Sequence, residues 1–385
     1  MSKSTYWTDS SFFDAKRLQT DPLADNAIAA LVAENGKQAT KDLFNKLIRQ
    51  IETPIEDLPP VLTSYFEASA ELPPWANTKQ IARAQEMFVD YGPAMLLLLY
   101  YKSLPLLYSC KNGAEVLIST GRLAHSEINL NVFARRVAET GQFLLDVLCQ
   151  GNLEPGGKGI KSIQKVRLIH ASVRHFVSIK GWDEQKFGKP INQEDLGVTL
   201  MTFGIAILDG LRQFGIQLKP EEEQAYVHTW NVIGYLLGVS KSLFPNTVDE
   251  ARFLLDQILE RQSGASDGGK MLTKALIEFA EATIPRERLD DTPEMLIRFL
   301  VGDETANMLG VQTNAGCLSR LMPHFLKVIF KLSERLEDRN NSLEVVLNNF
   351  SFQLTIGMVN YFNNYKGANF QIPEDLKEKW IGKKD

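Results

Sequence analysis

Residues 165–177 read KVRLIHASVRHFV, and this stretch decides the fold class that the sequence predicts. Val166, Val173 and Val177 recur at helical spacing, and His170 lies on the same helix face. A polar ring on the core-facing stripe of a helix costs about 1–3 kcal/mol when it has no partner. The stretch therefore predicts a helix that holds His170 against a ligand or a hydrogen-bonding neighbour.

The same helical periodicity extends outward over most of the chain, and apolar runs of period 2 are scarce. We therefore predict an all-α protein. The predicted helices cover residues 38–52, 79–89, 94–108, 112–120, 131–149, 162–179, 192–214, 221–239, 248–263, 270–283, 293–309, 316–337 and 342–364.

One helix start has a clear chemical signature, in the segment KPINQEDL. Asn192 is a good N-cap, Asp195 follows at the third helical position, and Ile191 is placed to pack on Leu196. The segment RQSGASDGG at 261–269 is instead rich in small and polar residues, which is typical of a mobile linker. We expect a helical core with an N-terminal helical extension over 1–245, and a C-terminal helical layer over 246–385 that packs on this core.

Bulk properties of the 385 residues exclude several classes of protein. Apolar residues make up 44%, charged residues 23%, and the net charge of −5 gives no support for a nucleic-acid partner. The longest apolar run, 94–101, is far shorter than the roughly 20 residues that span a bilayer. The N-terminus lacks the pattern of a secretory signal, so we expect a cytoplasmic protein. Three widely spaced cysteines, without a CxxC pair, predict reduced thiols rather than disulfides or a zinc site.

The helix predicted at 131–149 also carries polar groups on its apolar face. Arg136 and Thr140 lie four residues apart along this face, whereas Arg135 is placed to pair with Glu139 on the surface. A guanidinium on an apolar stripe needs a desolvated anion. Haem would serve both helices, because its iron takes an imidazole and its propionates accept hydrogen bonds from arginine. A hydrogen-bonded core histidine at position 170 is the alternative.

A third helix, YVHTWNVIGYLLGV at 226–239, aligns Trp230 with Gly234, and Gly238 follows one turn later. Two glycines four residues apart allow close approach by another helix or by a flat ligand. Ordinary helix packing is the simpler interpretation. The remaining histidines are isolated in the sequence and are interpreted as solvated or structural: His125, His175, His228 and His324.

Taken in order, several segments resemble one family. They are RLQTDPLADNAI (17–28), LPPWANTKQIARAQEMFVDYGP (72–93), TGRL (120–123), RRVAET (135–140), KVRLIHASVR (165–174), WDEQKFGKPINQEDLGVTLMTF (182–203) and YVHTWNVIGYLLGV (226–239). The family is that of haem-dependent oxygenases, which includes latex-clearing proteins and the ER-bound oxygenases of mycophenolic acid biosynthesis. The likeness covers roughly residues 7–310.

The resemblance implies a globin-like helical core with one haem b and with additional N- and C-terminal helices. His170 and Arg174 match the HxxxR motif, in which the histidine is the proximal iron ligand and the arginine steadies the haem. Arg136 and Thr140 match the RxxxT element, which implies cofactor-binding and catalytic roles. Trp230 is a further candidate for cofactor contact.

The chain departs from the family at two positions that carry chemistry in rubber-cleaving members. Their distal lysine corresponds to Glu139, and their acid/base glutamate corresponds to Thr120, which cannot act as an acid or a base. Glu115, Glu127 and Glu139 remain candidate substitutes, and we include Glu139 among the candidate catalytic residues.

The sequence thus predicts a haem b-dependent oxygenase that combines dioxygen with a hydrophobic, isoprenoid-like alkene, with oxidative cleavage of the double bond as a further expectation. Rubber itself is not expected as the substrate of a protein without an export signal. One alternative is a haem-binding sensor, carrier or peroxidase-like protein without oxygenase activity. The other is a cofactor-free helical scaffold.

Overall fold

The computed structural model describes residues 6–49, 58–120, 130–283 and 292–312, together with four positions near the C-terminus. These positions are Ile372, Pro373, Leu376 and Trp380. The described residues form helices and turns, with a single isolated β-bridge between Cys110 and Ser263, which confirms the predicted all-α class. No helix in this part of the chain is long and apolar enough to cross a membrane.

The helices of the described residues have the following bounds. In chain order they are α1 Ser10–Arg17, α2 Pro22–Arg49, α3 Pro60–Ala68, α4 Thr78–Leu98, a π-helical turn Leu99–Ser103, α5 Leu104–Ser109, α6 Lys111–Ser119, α7 Leu130–Leu148, α8 Lys158–Ser178, α9 Glu184–Phe187, α10 Gln193–Phe203, α11 Ile205–Gln213, α12 Pro220–Leu236, a 3-10 turn Lys241–Leu243, α13 Val248–Gln262, α14 Asp267–Thr283, α15 Thr292–Val301 and α16 Asp303–Met308.

The chain divides into two compact units, each assembled from separate segments. The first unit comprises Met1–Gln85, Asp146–Met201 and Gln224–Ile258. The second comprises Glu86–Leu145, Thr202–Glu223 and Leu259–Asp385. These units do not follow the division expected near residue 245, which stays a prediction.

The first unit is built around helix α8, which packs along α2. Small side chains line this contact, and Ala24, Ala27 and Ala171 are buried in one apolar cluster with Leu168. Short side chains allow two helix backbones to approach closely. Helix α3 joins the same cluster, where the Tyr65 hydroxyl donates to the Gln164 carbonyl at 2.9 Å.

The second unit contains the π-helical turn, which packs against α11 and α15. A β-carbon at Gly210 would collide with the side chain of Leu98, so glycine allows α11 to lie close to the end of α4. The Ser103 hydroxyl of the π-helical turn donates to the Thr202 carbonyl at 2.5 Å. Single π-turns inside helices are frequent at functional sites.

The predicted helices agree with the structure best where they have clear ends. Asn192 caps α10 as predicted, because its Oδ1 accepts from the backbone N–H groups of Glu194 and Asp195 at 3.0 Å each. The predicted helix 192–214 is interrupted at Gly204, and 293–309 is interrupted at Gly302, which has a φ of +85°. Helices α1 and α3, and the part of α2 before residue 38, were not predicted. The predicted helices 316–337 and 342–364 lie outside the described residues.

The predicted mobile linker at 261–269 is wrong. Helix α13 continues to Gln262 and α14 begins at Asp267, so the connection is short. Ser263 forms the β-bridge with Cys110, and the Gly264 N–H donates to the Ser109 carbonyl at 3.0 Å. Small residues are present here because the chain turns tightly against α5.

Candidate functional site

Helix α8 carries the candidate site, and two adjacent faces of this helix differ in burial. Arg167, Leu168, Ala171 and Arg174 are buried on the face that meets α2. The adjacent face is different, because its three apolar side chains and one histidine are only partly buried. It consists of Val166, Ile169, His170 and Val173.

His170 lies on this partly accessible face with one nitrogen directed inward. Its Nδ1 is buried and has no hydrogen-bond partner among the described residues. Burial, together with the nearby Arg174 cation, lowers the pKa of the imidazole to about 4, and Asp21 opposes part of this shift. The ring is therefore neutral at pH 7, which is the form that binds a metal. The described residues supply no hydrogen bond to Nδ1, which does not support the alternative of a hydrogen-bonded core histidine.

Arg167, one turn before His170, donates a hydrogen bond from each of its three guanidinium nitrogens, and two of these bonds form an ion pair with Asp21. Its Nε and Nη2 donate to the two carboxylate oxygens of Asp21 at 2.5 and 2.7 Å. Its Nη1 donates to the Leu236 carbonyl at 3.1 Å. Asp21 immediately precedes α2, so this bidentate bond joins the start of α2 to α8.

Arg174, one turn after His170, is paired less completely. Its Nε donates to Asp25 Oδ1 at 2.7 Å, and its Nη1 donates to the Ile191 carbonyl at 3.3 Å. Its Nη2 is buried without a partner in the described part of the chain. The guanidinium therefore keeps hydrogen-bond donors available for an anion.

Trp230 is buried in the first unit at 2% exposure and packs edge-on against Tyr226. Side chains of other residues already fill the space beside the neighbouring glycines, Gly234 and Gly238. A β-carbon at Gly234 would meet Leu200, and one at Gly238 would meet Asp21 and Arg167. This arrangement favours ordinary packing over the approach of a flat ligand at these glycines.

Gly238 also shows where the predicted helix 221–239 was extended too far. Helix α12 ends at Leu236, and Gly238 has a φ of +79°. The N–H groups of Gly238 and Val239 donate to the carbonyls of Tyr235 and Gly234. This is the Schellman pattern of a helix end, in which glycine takes the left-handed position.

Helix α7, in the second unit, carries the other predicted site residues. The Thr140 hydroxyl donates to the Arg136 carbonyl at 2.8 Å, one turn back in the helix. Arg136 is partly buried. Burial raises the pKa of the Tyr108 phenol, and the positive charge of Arg136 opposes part of this rise. Arg135 pairs with Glu139 at 2.8 Å, as predicted, with both side chains more than a third exposed. Pairing and exposure argue against Glu139 as an acid/base group.

The other candidates for acid/base chemistry remain unassigned. Glu115 is partly buried on α6, and Glu127 lies outside the described residues. The Thr120 hydroxyl donates to the Leu117 carbonyl at 2.8 Å. His228 accepts from the Asn77 N–H at 2.9 Å, which agrees with a structural role, and His125 and His324 lie outside the described residues.

Asp21, Asp25, Arg167 and Ile191 surround the site and were not predicted from the sequence. The only signal was spacing, since the two acids are four residues apart and Arg167 and Arg174 are seven apart. Both spacings place side chains on one helix face. Neither spacing tells which acid meets which arginine.

Residues 84–328 match the family described as ER-bound oxygenase mpaB/B'/Rubber oxygenase, catalytic domain. The chain belongs to this family. It is an enzyme of the oxygenase class, as the sequence predicted.

A relative of the mpaB/rubber oxygenase family is similar over much of its length. The chain is 25% identical over 300 residues to the rubber oxygenase of Streptomyces sp. (strain K30), covering 76% of this chain and 70% of the relative. The fold is similar to that of latex clearing protein LCP in the closed state, with a TM-score of 0.72 and 22% identity. That match covers 89% of this chain and 91% of the solved one.

Proposed function

We propose that the chain is a haem b-dependent oxygenase that acts on a hydrophobic, isoprenoid-like alkene. The observation that carries this proposal is that, among the described residues, a neutral His170 has a buried Nδ1 without a partner and Arg174 has a buried Nη2 without one. An iron porphyrin requires an axial ligand and counter-ions for its carboxylates. Both requirements match groups on the same helix, one turn apart.

The surroundings of His170 suit a flat apolar macrocycle. Val166, Ile169 and Val173 present apolar surface beside the imidazole and are only partly buried. Within the described residues, no group of three or more His, Cys, Asp or Glu side chains is placed to hold a bare metal ion. A single histidine suffices when the cofactor itself supplies the other ligands.

Each residue has a distinct task in this proposal. His170 ligates the iron through a ring nitrogen, and Arg174 donates to a carboxylate of the cofactor. The cofactor-binding and catalytic roles that the resemblance implies for Arg136 and Thr140 stay predictions. When bound, haem b supplies the redox-active iron that allows dioxygen to react with an alkene. A contact of Trp230 with the cofactor and a catalytic role for Glu139 stay predictions with weaker support.

The name of one relative supports the proposed substrate class. One relative is named for rubber, which is a polymer of isoprene units, and this supports an isoprenoid-like alkene as the substrate and cleavage of its double bond as the reaction. Product analysis with a panel of isoprenoid alkenes under labelled dioxygen tests this step. We expect label in an aldehyde, ketone or acid. Absence of labelled product from haem-loaded protein across the panel contradicts the proposed reaction.

The cofactor is tested by an absorbance spectrum of protein expressed with a haem supply. We expect a Soret band in the wild type and its loss or marked shift in His170→Ala. His175→Ala is the matched control, because His175 is on the same helix and also has a buried, partnerless nitrogen. A Soret band unchanged by His170→Ala contradicts the proposed ligation.

A further inference from the structure

Two arginines on helix α8 meet two aspartates at the start of α2, but the two pairs differ in one respect. Arg167 uses all three of its nitrogens, two on Asp21 and one on the Leu236 carbonyl. All three nitrogens of Arg167 therefore bind other groups of the protein. This pair is an anchor between the two helices.

Arg174 is buried to a similar degree, with 6% of its side chain exposed. Asp25 holds Nε and the Ile191 carbonyl holds Nη1, so two sides of the guanidinium plane are fixed. Nη2 is left buried without a partner among the residues that the structure describes. A cationic group with a buried unused donor is costly to fold unless a ligand completes it.

The Ile191 carbonyl accepts from Arg174 although the backbone of Ile191 has a conformation that isoleucine disfavours. Ile191 has a φ of +49°, and β-branched residues rarely adopt the left-handed region. The Asn192 cap fixes the following residue, because Asn192 Nδ2 also donates to the Lys189 carbonyl at 2.8 Å. The loop is therefore held at both ends of the strained residue, with the Ile191 carbonyl on Arg174.

We propose that Asp25 and the Ile191 carbonyl are positioning groups, which orient Arg174 so that its Nη2 receives a carboxylate of the cofactor. The inference rests on the proposed function, since the carboxylate belongs to haem. It adds that the cofactor site depends on the N-terminal helix α2. Asp25 lies upstream of residue 84, where the match to the catalytic-domain model begins.

The test is a haem titration followed by absorbance, with full-length wild type, Asp25→Asn, Arg174→Gln and the double variant. We expect Asp25→Asn to weaken haem affinity by about tenfold, the lower end of what residues supporting a metal-site ligand contribute. The expected loss disappears in the Arg174→Gln background, because Asp25 acts through Arg174. A merely structural role predicts the same loss in both backgrounds.

Glu194→Gln is the matched control for loss of a buried acid. Glu194 pairs with Arg17 at 3.1 Å in the same unit, with 1% of its side chain exposed. We expect this variant to lower the melting temperature and to leave the haem affinity of the folded protein unchanged. Unchanged or tighter haem binding by Asp25→Asn overturns the inference while the proposed function stands. A wild type that binds no haem overturns the proposed function, and the inference falls with it.

Discussion

Ile191 combines an unfavourable backbone conformation with a useful hydrogen bond. A non-glycine residue held in a sparsely populated region costs on the order of 1–3 kcal/mol, and such residues cluster at functional sites. Here the carbonyl of the strained residue accepts from Arg174, beside the candidate cofactor ligand His170. The strain and the site are therefore linked through one bond.

We predict that Ile191→Gly stabilises the protein relative to a matched glycine substitution elsewhere. Glycine adopts the left-handed region without steric cost, although it also adds freedom to the unfolded chain. Ile179→Gly is the control, because Ile179 has an ordinary φ of −73° at the end of α8 and is 51% exposed. Chemical denaturation is expected to place Ile191→Gly about 1 kcal/mol above Ile179→Gly in unfolding free energy. Equal values for the two variants are inconsistent with strain at Ile191.

The π-helical turn and helix α15 are joined by a buried lysine. Lys102 Nζ donates to the Leu300 carbonyl at 2.9 Å, near the end of α15, and also to the side chain of Gln213. A cation at a helix C-terminus is favourable, but this one is only 7% exposed. Burial lowers the pKa of Lys102 to about 8, against an opposing effect of Asp209.

This shift predicts a pH dependence of stability with a definite sign. Between pH 8 and about 10.5 the folded protein has released the Lys102 proton while the unfolded chain still holds it. Unfolding then takes up a proton, so stability rises with pH in this window. Relative to Lys102→Met, the wild type is expected to gain up to about 3 kcal/mol across it.

Urea denaturation at pH 7 and at several alkaline values measures this difference. Burial raises the pKa of Tyr101 and Tyr108, which also makes stability depend on alkaline pH, but these tyrosines are common to both proteins and cancel in the comparison. Lys274→Met is the control for removal of a lysine, because the Lys274 side chain is 78% exposed. A difference between wild type and Lys102→Met that stays flat with pH contradicts the lowered pKa.

The features that could be predicted from the sequence are those that depend on interactions between residues close in the chain. The cap at Asn192 and the Arg135–Glu139 pair involve residues within one turn of each other, so their spacing alone predicts them. The breaks at Gly204 and Gly302 were missed because a glycine inside a periodic pattern is compatible with a continuous helix. The glycine at 238 carried the signal of a helix end, which the longer apolar pattern obscured.

The tertiary contacts of the site could not be predicted from spacing in the sequence. Asp25 and Arg174 are 149 positions apart, and nothing in either segment selects the other. His170 and Arg136 were conspicuous because each places a polar group on an apolar stripe. What surrounds such a group depends on which helices pack together. Three separate segments of chain form the first unit, so sequence order gives no guide to this packing.

Binding of haem should be visible in the stability of the whole protein. A ligand that binds only the folded state raises the unfolding free energy, by about 2.7 kcal/mol at a free concentration one hundred times its dissociation constant. Among the described residues, His170 Nδ1 and Arg174 Nη2 are buried without hydrogen-bond partners, so a cofactor that engages these two side chains would lower the cost of burying them. We therefore expect the thermal midpoint of the wild type to rise with haem concentration. In His170→Ala the rise should be much smaller at the same concentrations, and in His175→Ala it should be retained. Scanning calorimetry with and without haem measures all three proteins, and an equal rise in His170→Ala would show that haem stabilises the chain from some other place.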